Sequence, residues 1–103
     1  MEKMPIMING LPGNVAKIIV SAALADGRFT LVPYSLTGQD ITDDVCEPAP
    51  GARVELVRPD VRDETIKAIK SEYPFFISID YTHPTAVNSN ARFYIDHQLP
   101  FVM

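Results

Sequence analysis

Residues 5–16, with the sequence PIMINGLPGNVA, decide the fold that we predict for this 103-residue chain. The apolar run at residues 5–9 predicts a buried strand, and the Asn9-Gly10 pair that ends it favours a tight turn. Apolar residues then recur at helical spacing over residues 13–25, so a helix is predicted directly after the turn. The face of this helix that we expect in the core is formed by Val15, Ile18, Ile19, Ala22 and Ala23.

Further strands and helices alternate along the rest of the chain. Apolar and β-branched runs predict strands at residues 29–35, 53–57, 75–80 and 99–103, the first with Pro33 near its end. Residues 37–51 are polar and contain several prolines and glycines, which indicates a surface loop.

Two more helices are predicted between these strands. Asp60 or Asp63 can cap the first, which Pro74 ends, and Thr82 or His83 can cap the second, with Pro84 in its first turn. Their expected core faces are Ile66, Ile69 and Tyr73 in the first helix and Val87, Ala91, Tyr94 and Ile95 in the second. Strands that alternate with helices predict an α/β fold with an open, mostly parallel sheet of about five strands flanked by helices.

Composition narrows the classes of function. The chain is 47% hydrophobic and carries a net charge of −4 with no basic run, so a nucleic-acid partner is not expected. No apolar run approaches the roughly 20 residues that span a bilayer, so no membrane is expected either. Cys46 is the only cysteine, and no Cys/His cluster predicts a metal site. A reducing compartment fits, either the cytoplasm or an organelle such as a plastid if a leader has been removed.

The turn after the first strand is the first candidate site. Gly10, Gly13 and Ala16 fit the pattern G-x-x-G-x-x-A, which places backbone N–H groups and a helix N-terminus against a diphosphate. The alternative is a tight strand-to-helix turn with no ligand. No acid follows the second strand at residues 34–37, where Ser35 and Thr37 could bond either a ribose 2′-hydroxyl or a 2′-phosphate. Pro12 removes one N–H from the turn but suits the first turn of a helix.

Residues 80–84, Asp-Tyr-Thr-His-Pro, form the second candidate site at the carboxyl end of the predicted central strand. Their carboxylate, hydroxyls and imidazole could contact a ribose or a nicotinamide, and the alternative is a helix cap. Neither His83 nor His97 is expected to act as a catalytic base, and Asp43-Asp44 is expected to be solvated. Cys46 lacks a neighbour that would lower its pKa, which disfavours a nucleophile.

These residues together resemble a known family. The segments 5–13, 31–35, 80–91 (DYTHPTAVNSNA) and 100–103 (PFVM) are similar to the N-terminal nucleotide-binding domain of plant-type 4-hydroxy-tetrahydrodipicolinate (dihydrodipicolinate) reductase. The resemblance covers nearly the whole chain, and residues 80–91 with the final PFVM are its most specific part. It implies a Rossmann-like fold and the reduction of a cyclic imine of lysine biosynthesis with NADPH or NADH.

The resemblance also implies roles for particular residues. The diphosphate would lie at Gly10, Leu11, Pro12, Gly13, Asn14 and Val15, the adenosine ribose near Ser35 and Thr37, and the nicotinamide end near Asp80, Tyr81 and Thr82. The family usually has a basic residue followed by Met-Gly at positions 14–16, and usually Thr at position 12. These departures remove a charge that could meet phosphate and favour weaker cofactor affinity.

Residues 1–103 are therefore expected to be a dinucleotide-binding domain without the catalytic and tetramerisation domain of the family. No catalytic residue is assigned, and the chain alone is expected to be inactive. The alternative is a non-catalytic interaction or scaffold domain that pairs through its exposed last strand, as a homo-oligomer or with another protein. A small α/β enzyme with its own site at residues 80–83 is the third hypothesis.

Overall fold

The described chain begins with a strand that is followed directly by a helix, as residues 5–16 predict. The computed structural model describes residues 3–81 and 87–103. Its strands are β1 (Met4–Asn9), β2 (Phe29–Leu31), β3 (Tyr34–Leu36), β4 (Val45–Ala49), β5 (Ala52–Val57), β6 (Ile77–Asp80) and β7 (Phe101–Val102). Its helices are α1 (Asn14–Ala25), α2 (Arg62–Glu72) and α3 (Val87–Asp96).

The strands form two sheets. Four strands in the order β2-β1-β6-β7 pair in parallel, and β3-β5-β4 form a second sheet in which β4 is antiparallel to β5. The two sheets meet beside the end of β1, where the Gly10 amide donates to the Leu36 carbonyl at 3.0 Å. The expected α/β, mostly parallel architecture is confirmed, with seven described strands rather than about five.

Helices cover both faces of the four-stranded sheet. Successive side chains of β1 point alternately into the two hydrophobic cores on these faces. Ile6 and Ile8 pack with α1, whereas Met7 packs with α2 and α3. Helices on both faces are typical of a doubly wound, Rossmann-like fold. No helix in the described ranges is long and apolar enough to cross a membrane.

Two strand predictions are wrong in instructive ways. The strand predicted at residues 29–35 is two strands, because Pro33 has no N–H to continue the ladder and the chain passes from β1 to β5 at that point. The loop predicted at 37–51 contains β4, an outer strand of its sheet whose sequence VCEPA has no alternating pattern. Its register with β5 shifts between Cys46 and Ala49. The other strands lie within the predicted ranges, except that β1 and β5 each begin one residue earlier.

The predicted core face of α1 is only partly correct: of its five residues, Ala23 is buried and the half-buried Ile19 packs against the core. The buried residues of α1 are Ala16, Val20 and Ala23, whereas Val15 is 47% and Ile18 67% exposed. Apolar residues surround most of this helix, so their spacing fits more than one face. The sheet selects the face with two alanines, which brings α1 close to the strands.

The predicted core face of α2 is confirmed, because Ile66 and Ile69 are buried and Tyr73 packs against the same core, whereas its predicted cap is wrong and the predicted face of α3 is partly wrong. Val61 is the N-cap of α2 and makes no side-chain cap hydrogen bond. Asp63 lies inside the first turn, where its negative charge interacts favourably with the helix dipole. In α3, Ile95 is 66% exposed, while the buried side chains include Phe93, Tyr94 and the polar Asn90. Thr82 and His83, which were predicted to cap α3, and Pro84, which was predicted in its first turn, lie outside the described residues.

A matched pair of isoleucines tests this packing. Ile66 in α2 is fully buried and Ile18 in α1 is exposed. Ile66→Ala should lower the free energy of unfolding by about 2–5 kcal/mol because it leaves a cavity, and Ile18→Ala should change it by less than about 0.5 kcal/mol. Urea unfolding followed by circular dichroism measures both. A large loss for Ile18→Ala would contradict the position of α1.

Candidate functional site

A cavity of about 460 Å³ opens at the carboxyl ends of β1 and β3. This is the edge of an open α/β sheet at which ligands bind, and the volume lies within the roughly 300–1,000 Å³ of small-molecule sites. Six of the predicted site residues line it, namely Gly10, Leu11, Pro12, Gly13, Thr37 and Tyr81. Asn14, Val15, Ser35 and Asp80 are not part of its lining, and Thr82 lies outside the described residues.

The turn at residues 10–13 forms one wall of the cavity. Gly10 has a φ of 109°, which favours glycine. The Gly13 amide donates to the Gly10 carbonyl at 2.9 Å, and a Cβ at Gly13 would come within 2.9 Å of that same oxygen. Pro12 was expected in the first turn of the helix. Because Gly13 is the N-cap of α1, Pro12 instead lies before the helix.

The start of α1 provides donors for an anion. Lys17 N donates to the Gly13 carbonyl, which makes the first bond of the helical ladder. The amides of residues 14–16 have no acceptor within the helix, and the helix dipole adds positive potential there. The backbone of Asn14 and Val15 can therefore serve an anion although their exposed side chains lie outside the cavity.

Ser35 and Thr37 hold the turn in place. The buried Ser35 hydroxyl accepts from the Leu11 amide at 3.2 Å, and the Thr37 hydroxyl donates to the Leu11 carbonyl at 2.9 Å. Both polar groups of Leu11 are thus satisfied by side chains from the end of β3. The predicted contact of these hydroxyls with a ribose stays a prediction, and the structure adds a supporting role for both.

Asp80 belongs to a buried polar network rather than to the cavity surface. The Tyr94 hydroxyl donates to its carboxylate, and the Asn90 amide donates to the same oxygen at 3.2 Å. Asn9 extends the network, since its Nδ2 donates to the Tyr94 oxygen at 2.7 Å. These bonds join the ends of β1 and β6 to α3.

Burial, and then the hydrogen bond and charge of Asp80, raises the pKa of the Tyr94 phenol above its ordinary value. The folded protein therefore keeps this proton to a higher pH than the unfolded chain does. The resulting stabilisation is present below the unfolded value of about 10 and is lost as the pH rises above it.

Three polar or charged side chains of the cavity were not predicted from the sequence. Arg62 begins α2, Asn90 lies on α3, and Asp40 lies in the loop after β3. Arg62 donates to the Asn90 Oδ1 at 2.7 Å, which connects the cavity to the Asp80 network. A polar or charged residue shortly after a strand's carboxyl end was the available signal for Arg62 and Asp40.

The remaining chemical candidates do not form a site. Asp44 is exposed and pairs with Arg58 at 3.0 Å, while His97 at the end of α3 contacts Asp63 at 2.8 Å. Burial raises the pKa of the half-buried Cys46 thiol, which disfavours a thiolate nucleophile. Within residues 3–81 and 87–103, no group of His, Cys, Asp and Glu could hold a metal ion.

Removal of the Asn9 side chain tests the network. Asn9 also accepts from the Leu36 amide at 2.8 Å, so Asn9→Ala leaves a buried donor unpaired and should cost about 1–3 kcal/mol of stability. The exposed Asn88 of α3 provides the control, Asn88→Ala, which should cost less than about 1 kcal/mol. Equal effects of the two substitutions in urea unfolding would contradict this role of Asn9.

Comparison with known proteins identifies the family. The family described as "Dihydrodipicolinate reductase, N-terminus" matches residues 4–103. Relatives include a probable 4-hydroxy-tetrahydrodipicolinate reductase 1, chloroplastic, of Oryza sativa, 33% identical over 96% of this chain. The 4-hydroxy-tetrahydrodipicolinate reductase 2, chloroplastic, of Arabidopsis thaliana is 35% identical over 95%. The chain spans 28% of the length of each of these relatives. Because the match covers residues 4–103, the chain belongs to the dihydrodipicolinate reductase N-terminal family.

Proposed function

We propose that this chain binds NADPH or NADH and is the cofactor-binding part of a 4-hydroxy-tetrahydrodipicolinate reductase. The observation that carries the proposal is the cavity at residues 10–13, where a glycine turn and the start of α1 meet at the carboxyl edge of a parallel sheet. Family membership supports a pyridine dinucleotide as the ligand of this chain. When bound, the reduced nicotinamide supplies the hydride of the reduction.

The residues of the cavity suit such a ligand. The amides at the start of α1 can donate to the diphosphate, and the turn itself is held by Ser35 and Thr37. Leu36, Ile41 and Pro59 give the adenosine part an apolar surface. The exposed Tyr81 lines the cavity near the end of β6, where the nicotinamide part would lie.

Reduction of the substrate requires more than a bound cofactor. A reductase needs a proton donor and a site for the substrate carboxylates beside the cofactor. We assign neither to a residue of this chain and propose that it binds cofactor without catalysing reduction alone. The names of the rice and Arabidopsis relatives place those proteins in the chloroplast, which favours the plastid over the cytoplasm for this protein as well.

The position of β7 favours one second candidate, a domain that pairs through its last strand. β7 is at the edge of the four-stranded sheet, and Val102 is 58% exposed. An edge strand can pair with another copy or another protein. A concentration-dependent dimer that Val102→Lys abolishes, together with no nucleotide binding, would favour this candidate over the first.

Substitution of Gly13 tests cofactor binding. Gly13→Ala places a Cβ against the Gly10 carbonyl and should shift the turn, which we expect to weaken NADPH and NADH binding about tenfold or more. Gly27→Ala is the matched control, because a Cβ there meets no atom within 4 Å. Calorimetric titration of the full chain measures the dissociation constants.

Saturable binding that Gly13→Ala weakens and Gly27→Ala preserves is the expected result. Absence of binding of either nucleotide up to about 5 mM, which corresponds to a binding free energy of about −3 kcal/mol, would contradict the proposed function.

A further inference from the structure

One face of the four-stranded sheet is covered by a helix over only part of its width. On this face Ile6 and Ile8 of β1 are buried beneath α1, and they pair in register with Ile77 and Ile79 of β6, which are half-buried. Val102 of β7 pairs with Ile79 and is 58% exposed. The exposed fraction therefore rises from β1 to β7. In the part of the chain that the structure describes, α1 packs on β1 and β2 on this side, whereas α2 and α3 pack on the opposite side.

The opposite face of β6 and β7 is closed. The ring of Phe101 lies 4.9 Å from that of Tyr94 in α3, so the next side chain, Val102, points to the α1 side of the sheet. Parallel sheets normally have both faces covered. The α1 side of β6 and β7 is apolar like a covered face, but it remains partly open. We call Ile77, Ile79 and Val102 the open sheet face.

The helix beside the open sheet face is apolar on nearly every side. Lys17 is the only charged residue of α1, whereas α2 carries six charged residues among eleven, as surface helices do. The side of α1 opposite to its buried residues is exposed and follows the helical spacing i, i+3, i+7 and i+10. We call this the outer side of α1, and it consists of Val15, Ile18, Ala22 and Ala25. A helix that is apolar all round is typical of one buried on both sides.

The open sheet face has room for one more helix. Neighbouring strands lie about 4.8 Å apart and packed helices about 8–10 Å apart, so two uncovered strands beside a helix leave a groove about one helix wide. Leu24 borders the same cavity as Pro50, which places that flank of α1 beside the turn between β4 and β5. Ile19 lies on the other flank, towards β6, and forms the wall of the groove. The floor and this wall are apolar.

We infer that α1 of a second copy of this chain fills the groove, and that the docking is reciprocal. A two-fold axis parallel to the two helices and between them places each α1 on its own sheet through one side and on the partner's open sheet face through its outer side. Neither surface carries a charged residue, so the net charge of −4 on each copy does not oppose the contact locally. The dimer does not depend on a cofactor, because the groove lies on a face of the sheet and the cofactor cavity lies at its carboxyl edge.

The size of the contact predicts a weak dimer. The open sheet face and the outer side of α1 together offer far fewer side chains than the roughly 20–30 residues on each side of a standard interface. We therefore expect a dissociation constant of about 0.1–1 mM. The chain is then monomeric at the micromolar concentrations used for circular dichroism, so the small effect expected there for Ile18→Ala is unchanged.

Sedimentation velocity of the full chain from about 5 µM to about 2 mM measures the dimer. Ile18→Lys places a charge against the partner's open sheet face and should weaken the dimer about tenfold or more, while lysine suits a helix at least as well as isoleucine. Val102→Lys should have the same effect from the other surface. Leu24→Lys is the matched control, because it changes an exposed apolar residue on the other flank of the same helix and should leave the dissociation constant unchanged.

A dilution series followed by NMR locates the contact. As the concentration falls without any nucleotide present, the backbone amides of residues 15–25, 77–79 and 102 should shift together. The amides of α2 and of the β4–β5 turn should stay constant, because they lie away from the groove.

Three results would overturn the inference. A monomer at every concentration up to about 2 mM would exclude the second copy and leave the groove to a different protein. A dimer that Val102→Lys weakens and Ile18→Lys does not would assign the contact to edge pairing of β7, because α1 is not part of that edge. Equal weakening by Ile18→Lys and Leu24→Lys would show an effect of added charge that does not depend on the groove.

Discussion

The side chain of Asn9 is the constraint on which the site depends. It ends β1, is fully buried, and accepts from the Leu36 amide while it donates to the Tyr94 hydroxyl. One amide thus fixes the second sheet and α3 to the central strand. The next residue continues the connection, because the Gly10 amide bonds the Leu36 carbonyl. A buried amide with all its partners present gives this edge one arrangement, and loss of any partner is costly.

The walls of the cavity follow from that anchor. Ser35 and Thr37, on either side of Leu36, bond the backbone of Leu11 and so shape the glycine turn. Tyr94 continues to Asp80, Asp80 to Asn90, and Asn90 to Arg62. The polar residues at the strand ends therefore serve first to hold backbone and side chains, and through them to place the amides and the guanidinium that a dinucleotide would meet.

Local signals predicted part of this structure and tertiary packing decided the rest. Gly10 and Gly13 could be identified because the turn requires their backbone freedom and close approach. The buried face of α1 could not, since its apolar residues fit several faces and only the sheet selects Ala16, Val20 and Ala23. Arg62 and Asp40 were missed because no short motif contains them, and two separate crossovers bring them to one cavity. The charged residues of a site carried by different strands are the hardest part to predict.

The most direct test of this account maps where a nucleotide contacts the chain. NMR spectra recorded during titration of the full chain with NADPH measure the chemical-shift change of each backbone amide, including those at the ends of the strands. We expect the largest shifts at residues 10–16, 36–41 and 62, with little change at β7. Shifts confined to β7 or to the exposed face of α1 around Ile18 would contradict a cofactor site at the carboxyl edge of the sheet.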